Sequence, residues 1–201
     1  KAKDSPDQSK IDALLTQIAD AQKGGQDLFE ATDWAVQEWD LAMKTSVQTA
    51  RLVECKKTGG TDCATKYPMW GGQQDDIDEA IEITRNLNAC SRKSGWDSTK
   101  CISDAKNAAN ALPAGVPDTS KAGISAIATM KSVIVLCHNP VIKGDHPACG
   151  AEGLSARLGD LRYNTVLNID KPQQPSAWGI MVDADDPVTG EKIAASINIW
   201  T

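Results

Sequence analysis

The chain has 201 residues and a mass of 21.4 kDa, enough to bury one core, or one core with a small appendage. Its formal net charge of −6 and pI near 4.9, with no block of Lys or Arg, would repel a phosphate backbone and exclude nucleic acid as an expected partner. Aromatic residues make up only 4% while alanine is abundant, which favours close helix-on-helix packing, and no apolar run is long enough to span a bilayer.

From the N-terminus, SPDQSKIDALLTQIADAQKGG predicts a helix with Ser5 as N-cap, Pro6 at the first helical position and Gly24-Gly25 as its stop. Ile11, Leu14, Leu15 and Ile18 carry helical spacing along it. Asp27 and Glu30 then form a capping box for a second, long helix. Leu28, Ala31, Ala35, Trp39, Ala42, Ser46, Ala50 and Val53 keep one face of it as far as Cys55, and Trp34 and Trp39 are expected in the core. After a Gly-rich loop carrying YPMWGG, Ile77, Ala80, Ile81, Thr84 and Leu87 mark a third helix ending at Cys90. An alanine-rich helix is expected from about Thr99 to Ala111. LPAGVPD breaks the pattern, and Asp118 or Thr119 can cap an apolar helix that ends at Cys137.

Near Asp160 the period changes from helical to alternating. LRYNTVLNI sets Leu161, Tyr163, Thr165, Leu167 and Ile169 on one side, as a half-buried strand requires. AWGIMVDA and KIAASINIW are two further strands, joined by a turn over DDPVTGE in which Pro187 fixes φ and Gly190 supplies a positive φ. The expected fold is therefore mainly α: a disulfide-clipped helical bundle over residues 1–155, then a small antiparallel β element over 156–201, α+β overall.

Three pairs of neighbouring cysteines punctuate these elements: Cys55 and Cys63, Cys90 and Cys101, Cys137 and Cys149. Sequence alone permits many connectivities. Nearest-neighbour pairing is expected because each pair flanks one hydrophilic loop at predicted helix ends, where short loops close most easily. A zinc site built from Cys137, His138, His146 and Cys149 is the competing reading, although no CxxC spacing occurs. Disulfides imply an oxidising compartment, so the chain is expected to be secreted, periplasmic or at the cell surface. No basic-then-apolar leader follows Lys1, so on that reading a targeting peptide has been removed.

The sequence holds no HExxH, GxSxG, phosphate loop or dinucleotide fingerprint, so no catalytic or metal-ligating residue is assigned. Asp183, Asp185, Asp186 and Glu191 have the charge of a calcium loop without its spacing, because Pro187 and Val188 stand where a further ligand and a glycine belong. The cluster is read as a solvated turn. Trp70 and Trp96, in Gly-containing loops, are candidate sugar-stacking platforms.

DPVTGEKIAASINIW, with the preceding LRYNTVLNIDKP and SAWGIMVDADDP, resembles the Asp-Pro-x-Thr-Gly-Glu segment of large secreted bacterial zinc metalloproteases of the metzincin-like kind. The likeness covers about a fifth of the chain, and Lys192 departs from it by interrupting the apolar residue that usually follows Glu191. It implies a β-hairpin turning at Asp186, Pro187, Thr189, Gly190 and Glu191, whose second strand leads toward a zinc-binding helix. It also implies that Ile193, Ala195, Ile197, Ile199 and Trp200 form an edge strand that pairs with extended substrate or a partner. The sequence reaches Thr201 before any HExxH, so zinc and general base are expected in the remainder of the protein, with no cofactor in this chain. The expectation is a non-catalytic upstream portion of such a protein, with that remainder as partner. The competing expectation is a secreted assembly protein that donates its strands to another copy of the chain by β-augmentation.

Overall fold

A computed structural model describes residues 8–71, 74–169 and 179–200. The chain divides into two compact units, Lys1–Ala151 and Glu152–Thr201; the first is helical, the second holds a small sheet, and the fold is α+β and mainly α.

The first unit is built on α1, Gln8–Lys57, one helix of 50 residues and about 75 Å. The expected break at Gly24-Gly25 does not occur. Each glycine costs about 1 kcal/mol relative to alanine, too little to interrupt a proline-free run of helix formers on both sides. The capping box does not form either, because Asp27 lies inside the helix, where Gln26 Nε2 donates to Glu30 Oε1 at 2.9 Å. At the far end Lys56 and Lys57 complement the helix dipole. There Gly59, at φ 75°, turns the chain so that the Gly60 N–H reaches the Cys55 carbonyl at 2.8 Å.

The side of α1 that meets the rest of the unit is not the predicted one. Ala31, Ala35, Ala42, Ser46 and Ala50 are exposed, and Trp34 and Trp39 are 55% and 65% exposed rather than in the core. Asp40, Leu41, Lys44 and Gln48 are buried instead. An alanine face has only methyl groups to bury, whereas each of these polar side chains finds a partner, so partners rather than hydropathy chose the face.

Cys63–Lys66 forms the single turn α2, and the following loop lies between helices. Gln48 Nε2 donates to the Pro68 carbonyl at 3.2 Å, and the Gly71 N–H donates to Ser120 Oγ at 2.9 Å. α3, Gln74–Ser94, runs four residues past the expected end at Cys90 and stops before Gly95, whose φ is 99°. α4, Thr99–Asn110, is capped by Ser98, and α5 is Asp118–Ala128. α5 does not reach Cys137 as the apolar run suggested. After Thr129 the chain is irregular, and the β-branched Val133 and Ile134 give their N–H groups to a side chain of α1. The core is small: Leu41, Ala80, Ile83, Ala105, Ala109, Leu112, Ile124, Ile127 and Ala128.

The second unit carries β1, Thr165–Ile169; β2, Gly179–Asp185; and β3, Lys192–Trp200, in the order β1-β3-β2. β2 and β3 are antiparallel, as the turn requires. β1 is parallel to β3, so the sheet is mixed rather than antiparallel. Alternation marks a strand but not the direction of its neighbour, which the connecting path decides. β1 also begins later than predicted, because Leu161–Tyr163 form a turn and Asn164 Oδ1 accepts from the Ala195 N–H at 2.9 Å. Ala177 and Trp178, read as the start of the second strand, lie outside the described residues.

Two glycine classes should separate in denaturation experiments on the oxidised protein. A Cβ on Gly123 would stand 2.2 Å from the Met69 carbonyl carbon and 2.4 Å from the Trp70 nitrogen, so Gly123→Ala is expected to destabilise by about 1–3 kcal/mol. Gly24 and Gly25 have nothing within 4 Å of that position, and Gly24→Ala is expected to stabilise by about 0.5–1 kcal/mol.

Candidate functional site

All six predicted cysteines are in disulfides, Cys55 to Cys63, Cys90 to Cys101 and Cys137 to Cys149, each joining nearest neighbours. The first closes the turn after α1 and the second ties α3 to α4. The third closes the loop holding both histidines, and it leaves no thiolate for the zinc site considered from sequence. Three disulfides assign the chain to an oxidising environment. No helix among the described residues is long and apolar enough to cross a membrane.

The helical unit contains a polar seam that hydropathy did not announce. Asp40 Oδ1 accepts from the N–H groups of Val133, at 2.6 Å, and Ile134, at 3.0 Å. Its other oxygen meets Lys44 Nζ at 2.9 Å, with both side chains about 2–3% exposed. Two turns earlier Asp33 bridges Gln37 Nε2 at 2.6 Å and Arg92 at 2.8 Å, and Arg92 lies over the Phe29 ring. Asp33, Gln37, Asp40, Lys44 and Gln48 recur at helical spacing, a signal available in the sequence but masked by the competing alanine face.

Across the seam, His138 stacks on Phe29 with ring centroids 3.4 Å apart, and its Nδ1 lies 2.7 Å from Asp145 Oδ1. Asp145 Oδ2 accepts from the N–H groups of His138 and Ile142. Burial pushes the Asp145 carboxyl up, but the hydrogen bonds from His138 and the two backbone groups outweigh it, and the group lies below its ordinary value. An ionised carboxylate only accepts, so Nδ1 carries the proton. His138 Nε2 is buried. A histidine held this way serves as a general base only where Nε2 can meet an incoming proton, so burial and the Phe29 stack make the pair a loop clamp. His146 receives the Ala148 N–H on Nδ1 at 3.1 Å and meets Trp96 edge-on. Burial lowers its pKa; Asp40 and Asp97 oppose that shift.

Two concavities of this unit, among the described residues, do not suit a small molecule. The enclosed one, beside Asp40, Arg92 and His146, measures about 20 Å³, room for a single water. The wide one, about 730 Å³, is an open trench along Thr45–Thr58 of a single helix and its end. The candidate sugar platforms are engaged too: Trp70 packs against the core, and Trp96 Nε1 donates to the Gly144 carbonyl at 3.1 Å.

In the sheet unit the predicted turn residues come together. The Asp186 N–H donates to the Glu191 carbonyl and the Gly190 N–H to the Asp186 carbonyl, both at 2.8 Å. Asp186 Oδ1 accepts from the N–H groups of Val188, at 2.7 Å, and Thr189, at 3.1 Å, and these hold its carboxyl below the usual range. Gly190 has φ 71°, and Thr189 Oγ1 accepts from the Glu191 N–H. Lys192, the departure from the family pattern, bridges Asp183 and Asp185, two of the four carboxylates that resembled a calcium site. No group of three metal-ligating side chains occurs among the described residues.

β3 is not the edge strand expected from the resemblance. Hydrogen bonds to β1 and β2 on its two sides make it the centre, and the antiparallel edge is β2. Register sets Ile193, Ala195, Ile197 and Ile199 on one face with Val166 and Met181, while Trp200 is on the other beside Ile169. On the first face Met181 is 63% exposed, Ile193 50%, Val166 41% and Ile197 40%. No protein-family model, curated protein or solved structure matches the chain.

Removing the Asp40 carboxylate strands Lys44 and two backbone donors, so Asp40→Ala is expected to cost about 3–5 kcal/mol by denaturant titration. The double variant Asp40→Leu with Lys44→Met should lose clearly less than the sum of the single changes. His146 has a native pKa below its unfolded value of 6.5, so it contributes stability above that pH that is lost as the pH falls through the native pKa. The denaturation midpoint should drop on going from pH 7.5 to 5, and His146→Gln should flatten that slope. Asp145 acts only below its unfolded value of 3.8, so its loss falls in a separate, more acid window.

Proposed function

We propose that this chain is a non-catalytic, extracytoplasmic portion of a zinc-metalloprotease-like protein, secreted, periplasmic or at the cell surface, whose C-terminal strands belong to a larger sheet. The observation that carries the reading is the apolar sheet face of Val166, Met181, Ile193 and Ile197, accessible on all three strands of a sheet too small to be stable bare. Another polypeptide would cover it. The Asp186–Glu191 turn adds support, since the residues that carry the family resemblance are those that build and cap it. Zinc and the general base are assigned to the remainder of the protein. On this reading the strand that meets extended substrate or partner is β2, whose outer side has no neighbouring strand among the described residues.

That free side also favours a second reading, an assembly protein in which β2 accepts a strand from another copy. Intact mass and peptide mapping of the natural, non-reduced material separates the two. The first reading expects a polypeptide with HExxH to be joined to, or to copurify with, residues 179–200. A self-associating species of this chain alone, with β2 protected from hydrogen exchange on association, supports the second. A lone monomer exchanging freely at residues 193–199 overturns both.

A further inference from the structure

Both histidines of the chain lie in the loop closed by Cys137 and Cys149, and they are held in different ways. His138 is clamped by Asp145 and stacked on Phe29, whereas His146 is held through its ring as an acceptor. A backbone N–H can only donate, so the bond from Ala148 at 3.1 Å fixes Nδ1 of His146 as the unprotonated nitrogen. That bond caps the short turn Pro147–Cys149. The ring stands edge-on to Trp96, whose indole N–H holds the Gly144 carbonyl, and it lines the cavity of about 20 Å³ together with Gln37, Asp40 and Arg92. On either side of residues 146–148 the chain is fixed: Asp145 accepts from the N–H groups of His138 and Ile142, and Cys149 is bonded to Cys137. Three residues between two anchors are thus held down by one ring.

We propose that residues 146–148 form a proton-operated flap beside the buried Asp40–Lys44 pair. A proton on Nδ1 of His146 turns the acceptor into a second donor facing the Ala148 N–H, so the capping bond is lost. The charged ring cannot stay in place, because a cavity with room for a single water cannot hydrate an imidazolium. The groups around it are already committed. From α1, Asp40 is occupied by Lys44 and by the N–H groups of Val133 and Ile134, and Asp33 by Gln37 and Arg92. α3 presents the Arg92 cation itself. Within the loop, Asp145 is taken by His138, and Lys143 is exposed. The attraction of Asp40 and Asp97 opposes burial without overcoming it, so the flap is closed at neutral pH and opens only below the ordinary histidine value of 6.5. Opening carries the ring into solvent between its two anchors and admits water beside Asp40, which removes the shelter of the Val133 and Ile134 N–H groups.

Chemical shifts and amide exchange of the full, oxidised, ¹⁵N-labelled chain, followed from pH 7.5 to 4.5 and corrected for the intrinsic pH dependence of exchange, test the flap. The Ala148 amide and the Trp96 indole N–H should shift with the titration of the His146 ring. Across that titration the protection of the Val133 and Ile134 amides should fall about tenfold or more, while the core residues Ile124 and Ile127 stay protected. His146→Asn sets a non-titrating acceptor where Nδ1 stands and should keep the flap closed down to pH 4.5. His146→Ala has no acceptor and should leave it open at pH 7.5. Signals of Ala148 and Trp96 that ignore the ring's titration would overturn the proposal. So would a His146→Asn variant that opens at the same pH as the unsubstituted chain, or a loss of protection that reaches Ile124 and Ile127 together with Val133, which is unfolding of the unit and not the movement of a flap.

Discussion

The buried carboxylate of Asp40 is the interaction on which the helical unit depends. It ends two strands of polar bookkeeping at once, by neutralising Lys44 and by accepting the N–H groups of Val133 and Ile134 in a segment with no regular structure of its own. Desolvating two charges is costly unless further hydrogen bonds satisfy the remaining lone pairs. Here those bonds come from a segment about ninety residues away in sequence, so the ion pair and the chain path after α5 require each other. Gln48 plays a smaller part of the same kind by holding the Pro68 carbonyl.

That constraint accounts for the modest apolar core. Four of the nine clustered core residues are alanine, and little area is buried for each. The three disulfides compensate by restricting the unfolded chain past α1, between α3 and α4, and around the His138 loop. Gly123 shows how close the packing is elsewhere, since α5 approaches the Met69–Trp70 backbone with no room for a methyl group.

The sheet unit presents the opposite economy. Its turn is held by local bonds to Asp186 and Thr189, and Lys192 bridges two neighbouring acids, so the hairpin is specified by residues close in sequence. The sheet it supports has an apolar face with nothing in its own three strands to bury it. A self-sufficient turn bearing an insufficient sheet is the physical basis for reading these strands as part of a larger assembly.

The helices, the strands, the Asp186–Glu191 turn and the disulfide pairs were legible in the sequence, because spacing, turn chemistry and loop closure act over a few residues. Asp186 can cap its turn, and Cys90 can reach Cys101, whatever the rest of the chain does. The tertiary structure decided what depends on distant partners. It turned α1 so that Asp40 and Lys44 face inward and Trp39 outward, which hydropathy had reversed. It carried α1 through Gly24-Gly25 and ended α5 before the Val133 segment, where a carboxylate on another helix outbids the helical hydrogen bonds. It made β3 central and β1 its parallel neighbour. Periodicity states which residues share a face; only the partners available in space determine which face is buried and which strand lies at the edge.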